Sequence, residues 1–172
     1  MRCFATDDHL RYGKMSDFDK AIQIVLQAEG NYSNNPADPG GETKYGISKR
    51  SYPNEDIKNL TLDRAKDIYY NDFWLPLQAY EFPEPVAILM FDMAVNMGKS
   101  AAVRCLQRAV KVEVDGIMGP VTRKALKENY GRDLVGEITV QRVMFYTNLE
   151  TFGSFGLGWV RRSIRTVMEV LV

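Results

Sequence analysis

Residues 16–30 read SDFDKAIQIVLQAEG and predict the first helix of the protein. Ser16 and Asp19 have the spacing of a capping box in its aspartate variant, which satisfies free backbone N–H groups at a helix start. Apolar side chains then recur at helical spacing as far as Leu26. Three residues further along that apolar face lies Glu29, so the sequence places a carboxyl group on the inward side of the helix end.

The rest of the chain predicts an all-α, mainly helical protein. Residues 31–60 are rich in Asn, Pro, Asp and Gly and predict an irregular segment, with one short β-hairpin at about 43–48. The glycine-rich residues 152–158 predict a loop before the last helix. The remaining helices are expected at about 61–73, 86–97, 100–110, 121–128, 132–149 and 159–171.

Histidine and cysteine usage excludes several classes of enzyme. His9 is the only histidine, and it lies in residues 1–14, which have no helical period and are expected to be a disordered extension. A histidine-dependent serine or cysteine hydrolase is therefore not expected, nor is a zinc peptidase with histidine ligands. Cys3 and Cys105 alone make no disulfide framework. We expect no metal and no cofactor, so acid–base chemistry falls to carboxyl groups.

Glu29 is the main candidate for that chemistry. Burial disfavours the charged form of a carboxyl group and the negative end of the helix dipole repels it, so Glu29 is expected to hold its proton more readily than a solvated carboxyl group. Such a group can protonate the leaving oxygen of a glycosidic bond. The alternative is a surface residue on a frayed last turn. Asp38 follows in a stiff, glycine-rich turn that could form one wall of a cleft.

Several segments carry a family resemblance: VLQAEGNY at 25–32, NPADPGGETKYGIS at 35–48, DFW at 72–74, FDMAVNMG at 91–98 and VDGIMGPVT at 114–122. They resemble glycoside hydrolase family 108, the lysozyme-like N-acetylmuramidases of phages and Gram-negative bacteria. The essential glutamate of that family's Glu-Gly-Gly-Tyr motif falls on Glu29, and Asn31 replaces the second glycine. The resemblance implies a lysozyme-like fold with two small lobes around a cleft, and a C-terminal module predicted to bind peptidoglycan.

The order Glu29, Asp38 and Thr43 also resembles the catalytic order of phage-type lysozymes. That resemblance implies that Glu29 protonates the glycosidic oxygen, while Asp38 and Thr43 orient water on the opposite face of the sugar and give inversion. For Asp38 the structural alternative is a turn carboxylate that caps its own backbone, and a structural role for Thr43 is equally open. A lytic transglycosylase, which closes an anhydro ring, would not need Asp38.

Tyr45, Trp74 and Asn96 are the candidate substrate-binding residues. The rings of Tyr45 and Trp74 could stack on sugars, although a tryptophan after an amphipathic helix also suits the core. Asp92 and Asn96 lie one turn apart on an otherwise apolar helix, so they either satisfy a buried polar network or line the floor of the cleft. We favour the cleft for Asn96.

The last helix is interpreted as a packing element. Its apolar stripe is expected to be buried and consists of Trp159, Ile164, Val167 and Leu171. Its arginines, Arg161, Arg162 and Arg165, are expected to be solvated, and none of them is assigned a catalytic role.

These observations predict a lysozyme, an N-acetylmuramidase that hydrolyses β-1,4 bonds between N-acetylmuramic acid and N-acetylglucosamine. The alternatives are a lytic transglycosylase and a non-catalytic wall-binding or secretion-associated protein on the same scaffold. Residues 15–98 are expected to be the catalytic region and 99–172 a helical peptidoglycan-binding region. Net charge is zero and no dense basic face is evident, so a nucleic-acid partner is not expected.

The setting expected from the sequence is that of a phage or prophage endolysin, and the alternative is a bacterial protein released by a dedicated route. No signal peptide and no apolar run of about 20 residues is visible, so synthesis in the cytoplasm without stable membrane insertion is expected. Action on the wall in the periplasm would then follow release, with functional dependence on a holin. We expect a monomer.

Overall fold

The computed structural model describes residues 16–29, 32–34 and 41–171, so the expected extension and Asp38 lie outside the described residues. The helices are α1 Asp17–Ala28, α2 Leu62–Tyr69, α3 Leu75–Leu77, α4 Glu84–Met97, α5 Lys99–Ala109, α6 Pro120–Glu128, α7 Arg132–Thr147 and α8 Phe152–Leu171. Strands β1 Thr43–Lys44 and β2 Ile47–Ser48 form an antiparallel hairpin. The prediction of a mainly helical protein with one short hairpin is confirmed.

Two helices begin where the sequence predicts, because their caps are local. At the start of α1, the Ser16 hydroxyl accepts from the Asp19 N–H at 3.1 Å, and the Asp19 carboxylate accepts from the Ser16 N–H at 3.3 Å. At the start of α2, the Thr61 hydroxyl accepts from the Arg64 N–H at 3.2 Å.

The helical run after α2 extends further than predicted. A π-helical segment, Tyr70–Trp74, carries α2 into α3, although Pro76 predicts a stop near residue 73. Pro76 has no N–H to donate to the carbonyl of Asp72, and the Lys99 ammonium group donates to that carbonyl at 2.9 Å instead. The helical run therefore tolerates its proline because a side chain from α5 replaces the missing donor.

The prediction of a loop at residues 152–158 is wrong, because these residues form the first two turns of α8. Gly156 is buried, and a Cβ atom there would lie 2.4 Å from the ring of Phe152 one turn earlier. The ring of Trp159 in turn packs 5.1 Å from the ring of Tyr146 on α7. Aromatic packing of this kind opposes the helix penalty of about 1 kcal/mol per glycine.

The inner face of α8 also differs from the prediction. Ile164 and Leu171 are 53% and 55% exposed, whereas Ser163 and Thr166 are buried. The expected packing is therefore wrong for Ile164 and Leu171, whereas Val167 packs against the core and the Trp159 ring packs against Tyr146. The helix turns part of a polar face inward, where Arg162 and Thr166 hydrogen-bond to a buried aspartate of α4.

Helix α4 is the centre of the core. It is buried from Val86 to Ala94, and α1, α5, α7 and α8 all pack against it. It ends at Gly98, whose φ of +87° is open to glycine but strained for other residues. Helices from both sides of Gly98 thus share one core. No helix in the described residues has the length and apolar character that a membrane span requires.

Candidate active site

Glu29 lies at the C-terminal end of α1, where helical backbone gives way to extended backbone. Its N–H still donates to the Val25 carbonyl at 3.1 Å, while its own φ and ψ are −89° and 142°. Its side chain is 26% exposed. The structure therefore places this carboxyl group at the edge of the core, open to solvent on one side.

The hairpin turn packs directly against Glu29. Tyr45 and Gly46 join β1 to β2 with positive φ angles of 53° and 78°, as a type I′ turn requires. A Cβ atom on Gly46 would lie 2.9 Å from Cγ and 3.2 Å from Cδ of Glu29. Glycine at this position therefore serves both the turn and the close contact with the carboxyl group.

Tyr69 joins the hairpin to α2 beside Glu29. Its hydroxyl donates to the Tyr45 carbonyl at 2.9 Å, and a Cβ atom on Gly46 would lie 2.4 Å from the hydroxyl oxygen. Burial, and next the nearby charge of Glu29, raise the pKa of Tyr69. The hydroxyl therefore keeps its proton and its hydrogen bond at neutral pH.

Arg162 of α8 connects Glu29 to the buried Asp92. Its Nη1 donates to Glu29 Oε1 at 2.8 Å, and its Nε donates to Asp92 Oδ1 at 2.9 Å. Burial opposes the charge of this guanidinium, but Asp92 and then Glu29 outweigh burial and raise the pKa of Arg162. The expectation that Arg162 is solvated is wrong, because its side chain is only 14% exposed and lies between two carboxylates.

Asp92 is the centre of a polar cluster beneath the site. Its side chain is almost fully buried, and Nη1 of the fully buried Arg142 lies 2.7 Å from Oδ2. The Thr166 hydroxyl donates to the same oxygen at 3.2 Å. Of the two alternatives for Asp92, the structure supports the buried polar network, in which two guanidinium groups compensate its charge.

Asn96, one turn further along α4, belongs to the same cluster. Arg142 Nε donates to the Tyr146 hydroxyl at 3.0 Å, and that hydroxyl donates to Asn96 Oδ1. Asn96 also lines a cavity of about 580 Å³ between α1, α4 and α8. Its side chain is thus partly committed to the network and partly open to the cavity, and its sugar-binding role stays a prediction.

The structure distributes the other predicted site residues along the hairpin. Thr43 in β1 exchanges both backbone hydrogen bonds with Ser33 at 2.8 Å, and its hydroxyl donates to the Gly41 carbonyl at 3.3 Å. Tyr45 is half-buried in the turn beside Glu29. The roles assigned to Thr43, Tyr45 and the undescribed Asp38 stay predictions.

Trp74 lies in the core, away from any surface. It is 3% exposed, and its ring packs edge-on against Phe18 and Phe91 at centroid distances of 5.5 and 5.6 Å. Stacking on a sugar requires an exposed aromatic face. The prediction of Trp74 as a substrate-binding residue is therefore wrong, because this side chain is committed to the aromatic core.

Sequence reasoning missed Arg162, Arg142 and Tyr69. The pair Arg162 and Glu29 is separated by 133 positions, so no local pattern joins them. One signal was present on α8, where Ser163 and Thr166 share a side of the helix with Arg162. Small polar residues on one side of a helix can mark a face that packs over a buried charge.

The arrangement is suited to proton donation by one carboxyl group. Arg162 donates to Glu29 Oε1, and a fixed cation in a partly buried site stabilises negative charge on that carboxyl group. In the described ranges no three metal-binding side chains cluster together.

Comparisons with known proteins indicate the class of protein. Residues 22–98 match the family model Glycosyl hydrolase 108, and residues 101–164 match the model Predicted Peptidoglycan domain. Among solved structures, the chain is similar to SagA of Brucella abortus, with 31% identity and a TM-score of 0.80. That match covers 90% of this chain and 93% of the other. A search of curated proteins found no match.

Proposed function

Because the chain belongs to glycosyl hydrolase family 108, we propose that it is an N-acetylmuramidase with Glu29 as its general acid. The family makes the protein a glycoside hydrolase, and the matched peptidoglycan domain makes peptidoglycan its ligand. The finer proposal is hydrolysis of the β-1,4 bond between N-acetylmuramic acid and N-acetylglucosamine.

The observation that carries this proposal is the setting of Glu29. Its carboxyl group lies between the hairpin turn at Gly46 and the guanidinium of Arg162, which donates to Oε1 at 2.8 Å. The proton moves from this carboxyl group to the glycosidic oxygen, and Arg162 then stabilises the carboxylate that remains. Because Gly46 and Arg162 contact Glu29 from two sides, the carboxyl group has a defined position before substrate arrives.

The proposal assigns the water to the hairpin side of the site. Thr43 lies two positions before the turn that contacts Glu29, and Asp38 precedes the hairpin in the chain. In this mechanism Asp38 and Thr43 orient water on the face of the sugar opposite Glu29, which inverts the anomeric centre. Tyr45 of the hairpin turn and Asn96 of the cavity lining contact the sugars.

The test compares wild type with Glu29→Gln on Gram-negative peptidoglycan sacculi. Turbidity follows solubilisation, and mass spectrometry identifies the ends of the released fragments. We expect reducing N-acetylmuramic acid ends from wild type and none from Glu29→Gln. The matched control is Glu137→Gln, which removes the charge of an exposed glutamate on α7 and should retain full activity.

Other products would replace the proposal with a named alternative. Anhydro ends from wild type would identify a lytic transglycosylase, in which the sugar's own hydroxyl rather than water attacks. Binding to sacculi without release of fragments would identify a wall-binding or secretion-associated protein on the same scaffold. Full activity of Glu29→Gln would exclude Glu29 as the acid.

The proposed activity also requires access to the wall. Peptidoglycan lies outside the cytoplasmic membrane, so we propose action in the periplasm as a monomer, after holin-dependent release in phage or prophage lysis. Expression with and without a holin tests this route, since only the pair should lyse the host. Lysis without the holin would contradict it.

A further inference from the structure

The cavity between α1, α4 and α8 has a volume of about 580 Å³ and is lined by three arginines of α8, Arg161, Arg162 and Arg165. We call it the arginine groove. Its volume is within the range of roughly 300–1,000 Å³ that is typical of small-ligand sites. The groove adjoins the candidate acid, because Arg162 lines it and donates to Glu29.

Two of these arginines carry charge that no residue in the described part of the chain compensates. Arg162 is paired with Glu29 and Asp92, whereas Arg161 and Arg165 are exposed and have no hydrogen bond or ion pair with any residue in the described part of the chain. Two carboxylates also line the groove. Asp92 is already paired with two arginines. Glu169 forms no ion pair with a cationic group in the described ranges.

The lining of the groove also includes apolar side chains beside its polar ones. Ile24 of α1 and Trp159 and Met168 of α8 lie in the same lining as the free arginines. The groove therefore suits an occupant with carboxylates that guanidinium groups can bind, and with small apolar groups between them.

We propose that the arginine groove binds the peptide stem of peptidoglycan, with Arg161 and Arg165 pairing with its free carboxylates. This inference rests on the proposed function. The stem is attached to the N-acetylmuramic acid whose glycosidic bond is cut, so a stem site has to adjoin the acid, as the groove does. The stem alternates methyl and carboxylate groups along a short chain, which matches the lining. The enzyme therefore prefers strands whose stems are charged.

The test compares native sacculi with sacculi whose stem carboxylates have been amidated by carbodiimide and ammonia. Amidation removes the charge and leaves the glycan and the stem in place. We expect wild type to release reducing ends roughly tenfold faster from native than from amidated sacculi, the factor expected for loss of about one charge-assisted contact. The Arg161→Gln/Arg165→Gln variant should digest both substrates at the slower rate.

A matched variant separates the groove from overall charge. Arg108→Gln/Lys127→Gln removes two exposed cations from α5 and α6, which do not line the groove, and should keep the wild-type preference. Thermal unfolding of both double variants checks that they fold. Because the groove arginines are exposed and unpaired, we expect unchanged melting temperatures.

Each contrary outcome has one meaning. Equal rates of wild type on native and amidated sacculi would overturn the stem site and leave the muramidase proposal intact. A preference that survives in Arg161→Gln/Arg165→Gln, or that disappears equally in Arg108→Gln/Lys127→Gln, would also overturn it. No release from either substrate by wild type would overturn the proposed function itself.

Discussion

Neutralising Asp92 should reveal how strongly the buried charge cluster depends on its central carboxylate. The Asp92→Asn variant keeps the side-chain shape, but Arg142 loses the negative charge that lies 2.7 Å from its Nη1. Arg142 is fully buried, so water cannot replace that charge, whereas Arg162 still has Glu29. Loss of one partner from a buried ion pair costs about 3–5 kcal/mol, and we expect about 4 kcal/mol here.

Urea-induced unfolding at neutral pH measures this loss in the free energy of unfolding. For a chain of this length, 1 kcal/mol corresponds to roughly 2–4 °C in melting temperature, so the expected decrease is about 8–16 °C. The control is Glu55→Gln, which breaks the exposed ion pair with Arg64. Surface pairs contribute little to stability, so the control midpoint should stay close to wild type.

The double variant Asp92→Asn/Arg142→Met tests the reasoning by its sign. It removes the buried cation together with its partner, and replacing a buried ion pair by groups of similar volume is often neutral or stabilising. We therefore expect the double variant to be more stable than Asp92→Asn alone. A double variant that is less stable than Asp92→Asn would refute the argument, because the unpaired charge of Arg142 could not then be the source of the loss.

Three further predictions concern the residues around the acid. Arg162→Lys keeps the charge but cannot span Glu29 and the buried Asp92 together. We therefore expect kcat on sacculi to fall about tenfold with little change in KM, and an unchanged kcat would contradict a positioning role for Arg162. Gly46→Ala should lose about 1–3 kcal/mol of stability and most activity, because Gly46 has a φ of +78° and contacts Glu29. The control is Gly119→Ala, where a Cβ atom would have no neighbour within 4 Å, and it should match wild type in urea unfolding and in activity on sacculi. Burial and, next, the charge of Glu29 raise the pKa of Tyr69 in the folded protein. The contribution of Tyr69 to the free energy of unfolding is therefore complete below about pH 10, the pKa of tyrosine in an unfolded chain, and is lost as the pH rises from there through the folded pKa. Urea midpoints between about pH 8 and pH 11 should fall further for wild type than for Tyr69→Phe, and equal falls would count against this.

Features encoded by neighbouring residues were predictable. The caps at Ser16 and Thr61 depend on side chains three positions from the N–H groups they bind, and both are where the sequence predicts them. The hairpin follows from a glycine-rich turn, and the family resemblance follows from motifs that can be read without coordinates. Glu29 could be selected as the candidate acid for the same reason, since it continues the apolar stripe of its own helix.

Predictions failed where contacts distant in sequence outweighed local preferences. The glycines of residues 152–158 favour a loop, yet Phe152 and Trp159 find aromatic and glycine partners that keep the segment helical. Trp74 follows an amphipathic helix in a position that suits either core or cleft, and its contacts with Phe18 and Phe91 place it in the core.

By itself, therefore, the sequence determined the helical class, the hairpin and the carboxyl group most suited to acid catalysis, because caps, periodicity and turns act over a few residues. Only the tertiary structure placed Arg162 against Glu29, 133 positions away, and left Arg161 and Arg165 in the adjoining groove without partners among the described residues. The physical reason is that the three arginines lie on the same helix and carry the same charge. Only the packing of α8 over the buried Asp92 makes their environments different.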